Sequence, residues 1–340
     1  MKSRLNVTDN DFGYPMSLHA YLTRGIIWAQ RLVYSRLLKG VNNHRPIPPD
    51  FEGQAANDHV RDRVSSGEPC LIARFGCVEL EAALRGYDIS RRMPTFVKAL
   101  SLLTGTFGPF WWDNSIRAGL LRTAGVFPVD DSTLMRFSSR VLDDARSLDV
   151  LASWNARELE LKKRFFPDCK AIDLVGLDSF RYQNPWSSAL EGKRVLVVHP
   201  FARTISTQYA RREQLFADRT VLPDFQLITY RPVMSFLGLA TPFRDWFEAL
   251  DAMCSDLAKI DFDIALISCG AYGMSLGAFV KNVLRKQAVH LGGVAQLLFG
   301  IKGGRWDGGP YSRFYNAFWV RPGEAECPTN YRSHEGGAYW

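Results

Sequence analysis

The sequence predicts a doubly wound α/β fold with a mostly parallel sheet, on three observations. Strand-like apolar runs recur at 70–75, 148–152, 171–176, 194–199, 225–231, 262–268 and 287–291. Several of them are continuous rather than alternating, as expected where both faces of a parallel sheet are covered. Helical patterns lie between most of them, and alternation of this length implies a sheet of Rossmann type.

Residues 1–16 are polar and rich in turn formers, and read as loose. From Ser17 to Lys39, Leu18, Leu22, Ile26, Val33 and Leu37 recur near helical period, among Arg24, Arg31, Arg36, Lys39, Trp28 and Tyr34. Such a basic amphipathic helix either docks on the main domain or lies in a membrane interface, and docking is the commoner fate. Pro46, Pro48 and Pro49 make 41–52 a linker. Thr104-Gly105-Thr106-Phe107-Gly108-Pro109 and Trp111-Trp112 make 88–125 a long aromatic loop, in the position of an inserted lid. A helix over 132–146 carries a stripe of Leu134, Phe137, Val141 and Leu142 with Ser132 as its cap. Another over 242–259 carries Phe243, Trp246, Phe247, Leu250, Met253 and Leu257. The tail from Tyr315-Asn316 to Trp340 reads as a wrapping segment. The chain thus divides into an extension at 1–60, a domain at 61–320 and a tail at 321–340.

Composition narrows the class. With 340 residues, 46% of them hydrophobic and 23% charged, the chain can bury a large core. A net charge of +7 favours acidic partners. No basic run with interleaved aromatics and no helix-turn-helix or RNA-binding signature is present, so nucleic acid is not an expected partner. Six cysteines without a Cys-x-x-Cys pair suit a reducing cytoplasm and argue against structural zinc. No run approaches the roughly 20 apolar residues of a membrane span, and no signal layout opens the chain. The expected location is cytoplasmic, with 17–39 as the one candidate for peripheral membrane contact.

In such a sheet, ligands bind beyond the carboxyl ends of the strands. After the first strand come Arg74, Gly76 and Glu79, where a glycine turn into a helix start forms an anion site. Arg74 can grip a phosphate bidentately. Glu79 can hold Mg²⁺ or Mn²⁺, or it can simply complement the helix N-terminus. His199 ends the fourth strand and is placed to act as general base or to contact phosphate, with Arg203 and Thr204 at the next helix start. Ser268-Cys269-Gly270-Ala271-Tyr272-Gly273 is a glycine-containing loop leading to a helix from about Ser275. Its amides suit phosphate, and Tyr272 could stack on a nucleobase. After the last strand, His290 and Gly292 precede Lys302, Arg305 and Trp306, which offer positive charge and a flat face for sugar, or a solvated basic loop. There is no G-x-G-x-x-G, Walker A or G-x-S-x-G motif. Cys77 starts a helix without a neighbouring histidine, so a nucleophilic thiol has little support.

Arg74-Phe75-Gly76-x-x-Glu79 resembles the RFGDGE-type motif of the GT-D class of bacterial glycosyltransferases, in which an Asp-x-Glu pair follows the first strand. Cys77 stands where that pair has its Asp, so only Glu79 is retained. The 268–273 loop is placed like a glycine-containing loop of that class. The segment 296–306 is similar to proteins of bacterial polysaccharide loci that share Arg-Phe-Gly. The resemblance covers about 66–320. It implies a GT-D-like sheet, a nucleotide-sugar donor (a UDP-sugar foremost), and a hydroxyl acceptor on a glycan or lipid-linked glycan. It also implies Mn²⁺ or Mg²⁺ at Glu79. Arg74, Gly76 and the 268–273 loop would hold the diphosphate, and His199 would deprotonate the acceptor. A Rossmann-type dinucleotide-binding protein and a non-catalytic glycan-assembly partner are the alternatives.

Overall fold

The structure, a computed structural model, describes residues 46–104 and 110–340. The basic helical pattern at 17–39 and residues 105–109 of the expected aromatic loop lie outside the described residues. Seven strands form one parallel sheet: β1 (Cys70–Ala73), β2 (Val150–Ser153), β3 (Lys170–Asp173), β4 (Arg194–Val198), β5 (Gln226–Tyr230), β6 (Ile264–Ile267) and β7 (Gln287–His290). Their order is β3-β2-β1-β7-β6-β4-β5. All seven fall within the apolar runs read from the sequence, give or take a residue. The third run is cut short because the chain turns into a 3₁₀ helix at Leu174–Leu177.

Ten α-helices accompany the sheet among the described residues. They are α1 (Gly53–Ser65), α2 (Cys77–Ser90), α3 (Thr95–Thr104), α4 (Asn114–Gly119), α5 (Asp131–Ala145), α6 (Glu158–Phe165), α7 (Ala202–Tyr209), α8 (Trp246–Leu257), α9 (Tyr272–Asn282) and α10 (Ala295–Leu298). Side chains along each strand alternate between two buried layers. Leu71, Ala73, Leu196, Val198, Ala265 and Ile267 pack with residues of α2, α5, α8 and α9, such as Leu80, Phe137, Leu250 and Leu276. Cys70, Ile72, Val195, Val197, Ile264 and Leu266 pack on the other face with Val60 and Val64 of α1 and Ile205 of α7. That double coverage is why strands such as β1, β4 and β6 read as near-continuous apolar runs.

Several boundaries differ from expectation. The 60/61 division falls inside α1, whose Val60 and Val64 are fully buried. The described part of the proline-rich linker is docked: Ile47 N–H donates to Ser153 Oγ at 2.9 Å and Asp50 N–H to the Ala171 carbonyl at 2.7 Å. Within 88–125, the expected loop is largely helical, holding α3, α4 and one π turn at Leu120–Ala124. The start of α5 is capped by Asp130, which accepts from Thr133 N–H at 2.9 Å, and not by Ser132. Two acceptor oxygens let a carboxylate take both the amide and the Thr133 hydroxyl. The 242–259 helix begins four residues late, at Trp246, where Asp245 caps it.

Arg85 is buried on α2 and donates to Asp113 Oδ2 and to Glu81 Oε1, each at 2.7 Å. Asp113 is also the N-cap of α4. Arg85→Met takes the buried counter-charge from Asp113 and is expected to lower unfolding free energy by about 3 kcal/mol, read from urea denaturation. No helix among the described residues is long and apolar enough to cross a membrane.

Candidate functional site

The chain leaves β4 outward to β5 but leaves β6 inward to β7, so the connections diverge at the carboxyl edge between β4 and β6. A cavity of about 430 Å³ lies on that edge. The turns after β1, β2, β4, β5, β6 and β7 all reach it. Arg74, Glu79 and the 268–273 loop, widely separated in sequence, therefore share one cleft.

Arg74 is the cation that stands out. Its guanidinium lies over the Trp154 ring, 4.9 Å from the centroid. Gly292 packs against it as well: a Cβ there would overlap Nη1, and φ is +64°, so glycine is required on both counts. Arg74 Nε is buried without a hydrogen bond, and Arg74 makes no ion pair among the described residues. An arginine held on a ring and aimed into a cavity without a carboxylate partner is arranged for an external anion.

His290 ends β7 beside it. Its Nδ1 lies 3.2 Å from the Ile267 carbonyl, and its ring covers Gly273, where any Cβ would collide with it. Burial, with Arg74 adding to it, pushes the ring down to about 4, so it is neutral at pH 7. His199 is buried as well, pushed down to about 3 by burial. Its Nδ1 accepts from Phe201 N–H at 2.9 Å. That bond occupies the lone pair and leaves the proton on Nε2. The expectation that His199 is the general base is therefore corrected: its neutral ring donates from Nε2 instead.

Glu79 folds back over Gly76, where a Cβ would overlap its carboxyl, and accepts from its own N–H in the first turn of α2. Burial raises its pKa, Arg74 opposes that rise, and Glu335 reinforces it. Cys77 sits at the exposed start of α2, its thiol raised by desolvation, then by Glu79 and Glu335, so it is no ready thiolate. Among the described residues, no group of three or more His, Cys, Asp or Glu is arranged to hold a metal ion. With Glu79 folded onto its own helix and Cys77 offering only a protonated thiol, this donor set does not fit a Mg²⁺ or Mn²⁺ cage.

Other expected contacts are already engaged within the protein. Tyr272 is 1% exposed and stacks on Trp246 at 5.1 Å with planes 6° apart, and its hydroxyl meets Ser235 Oγ at 2.9 Å. It is a core residue under the cavity, not a nucleobase platform. The N-terminus of α7 is filled by Glu326, which accepts from Arg203 N–H at 2.8 Å and Thr204 N–H at 3.1 Å. Arg203 and Thr204 thus make no vacant anion site. Ser268 Oγ donates to the Gly292 carbonyl at 2.8 Å and holds the last turn in place. Gly270, at φ +59°, lines the cavity. Lys302 lies outside it, over the Tyr315 ring at 5.3 Å. Trp306 is buried against Tyr339 and offers no open face. Arg305 does line the cavity but pairs with Glu335 and donates to the Tyr339 hydroxyl at 2.9 Å.

The sequence reading missed Trp154, Gly125, Ser235 and the tail residues His334, Glu335, Tyr339 and Trp340, all on the cavity wall. Trp154 follows a strand directly and was open to the same carboxyl-edge rule. The tail carried no local signal, because its place depends on distant contacts such as His334 Nδ1 with the Arg122 carbonyl at 3.1 Å. No family model, no curated protein and no solved structure matches this chain.

Proposed function

We propose that the cavity binds the diphosphate of a nucleotide sugar and that the protein transfers the sugar to a hydroxyl group, as a GT-D-like glycosyltransferase of bacterial glycan synthesis. The observation that carries this reading is Arg74, stacked on Trp154 and packed against Gly292, with a buried Nε that has no hydrogen-bond partner, just beyond β1 and next to the central strand β7. The volume of about 430 Å³ falls within the roughly 300–1,000 Å³ range of small-molecule sites. Breaking a glycosidic bond to phosphate leaves charge on the diphosphate, and a preorganised guanidinium lowers that cost. The His199 Nε2–H adds a neutral donor for a phosphate or sugar oxygen. No step is routed through a metal.

Calorimetric titration with UDP, GDP, ADP, NAD and NADP tests it. A nucleoside diphosphate should bind at micromolar Kd, at least tenfold tighter than either dinucleotide. Tight dinucleotide binding alone, or no nucleotide binding, overturns the reading. A nucleotide-binding protein without turnover is the second reading, favoured by Cys77 at the Asp position and by Glu79 folded on its own helix. It predicts UDP binding with no UDP released from any UDP-sugar.

A further inference from the structure

We propose that His290 is the group that takes the acceptor's proton, and that His199 is its counterpart on the donating side. This rests on the transferase reading above. The two imidazoles are fixed in opposite tautomers by backbone groups of known polarity. A carbonyl oxygen can only accept, so the 3.2 Å contact with Ile267 puts the His290 proton on Nδ1. A backbone amide can only donate, so the 2.9 Å contact from Phe201 puts the His199 proton on Nε2.

Both rings line the cavity. Neither Nε2 has a hydrogen-bond partner among the described residues, and neither is a sealed, unpartnered atom. His290 therefore presents a lone pair to the cavity and His199 presents an N–H. β6 separates their strands, which spaces the strand ends that carry the rings by roughly two strand widths, about 10 Å. The two roles are thus separated in space.

Position selects the role of each ring. His290 adjoins Arg74, whose charge lowers the ring's basicity until a bound diphosphate neutralises that charge, and Gly273 leaves room for the ring. A hydroxyl bound at its Nε2 lies beside the phosphate that Arg74 would hold, next to the bond that must break. In the step, the acceptor O–H bond breaks and its proton moves to His290 Nε2. The freed oxygen pair forms the bond to the anomeric carbon. The bond from that carbon to the diphosphate oxygen breaks, and its electron pair leaves on the diphosphate, facing Arg74. The imidazolium then returns its proton to water.

Nitrogen-15 spectra of histidine-labelled protein, with UDP binding by calorimetry and UDP release from UDP-sugars, form the test. The expected spectra show Nδ1–H for His290 and Nε2–H for His199. His290→Asn keeps an N–H for the Ile267 carbonyl but removes the lone pair. It should lower kcat about 10²–10⁴-fold while UDP affinity stays within threefold. A His290 Nε2–H tautomer, or kcat within threefold of wild type, overturns this role alone. Failure of the wild-type protein to bind UDP or to release it from any UDP-sugar overturns the transferase reading and this role with it.

Discussion

Arg74→Ala is expected to weaken UDP binding by two orders of magnitude or more while leaving the protein folded and its stability little changed. Removing one side of a desolvated charge pair typically costs 2–5 kcal/mol of binding, roughly 30-fold to several thousand-fold. The stability half of the result is the more diagnostic. Arg74 carries an unpartnered buried Nε and makes no ion pair among the described residues. Its charge also presses on His290. Removing it relieves both but also takes the stacking on Trp154 and the cation that opposes the rise at Glu79, so thermal unfolding should change little. Arg74→Lys keeps the charge but loses the planar fork and the stacking on Trp154. An intermediate loss, near tenfold, is expected. Calorimetry and a melting curve on the three proteins decide the matter. Unchanged UDP affinity in Arg74→Ala would remove Arg74 from the site.

The paired histidines should make the native state acid-sensitive in a way their variants do not share. Each ring titrates near 6.5 when unfolded but at about 4 for His290 and about 3 for His199 when folded. Between those values the unfolded chain binds more protons, so the stability they contribute is whole above pH 6.5 and is lost as pH falls. At pH 5 the loss is about 2 kcal/mol per ring. Groups facing His290 are the Arg74 guanidinium and the Ile267 carbonyl, and His199 has burial alone as its cause. Opposite in sign is Asp178, buried and raised to about 7, which adds stability as pH falls from 7. The measurement is therefore a difference. Between pH 7.5 and 5, urea unfolding free energy of the His199→Asn, His290→Asn double variant should fall about 4 kcal/mol less than that of the wild type. Parallel pH curves would show that the rings are not buried neutral.

Much of the fold was legible because a covered parallel sheet writes strands such as β1, β4 and β6 as near-continuous apolar runs, while β3, β5 and β7 carry polar residues within theirs. Helix α5 was legible from its stripe, but its cap was not, since Asp130 and Ser132 both have suitable oxygens and only geometry separates them. The stretch 88–125 misled because the turn residues and Trp111-Trp112 between α3 and α4 drew the reading away from the helical apolar pattern of Thr95–Thr104 itself. For the site, the carboxyl-edge rule placed Arg74, Gly76, Glu79, His199, Ser268, Gly270, His290 and Gly292 on one cavity. It could not tell which of them face inward alone. Tyr272 is consumed by Trp246, Thr204 by Glu326, and Arg305 by Glu335, and each partner is at least 26 residues away in sequence. Nor could spacing reveal a tautomer, which is set by backbone groups at Phe201 and Ile267.

The middle of the sheet joins strands from opposite ends of the described chain: Cys70 of β1 pairs with Gln287 of β7. During synthesis, the half-sheet of β1, β2 and β3 is complete at Asp173, so one flank of β1 stays bare while about 115 further residues are made, a wait of roughly 6–23 s at ordinary translation rates. An uncovered apolar strand edge is sticky. Ribosome-bound chains stopped before residue 287 should therefore recruit chaperones, and release of that dependence should coincide with the arrival of β7.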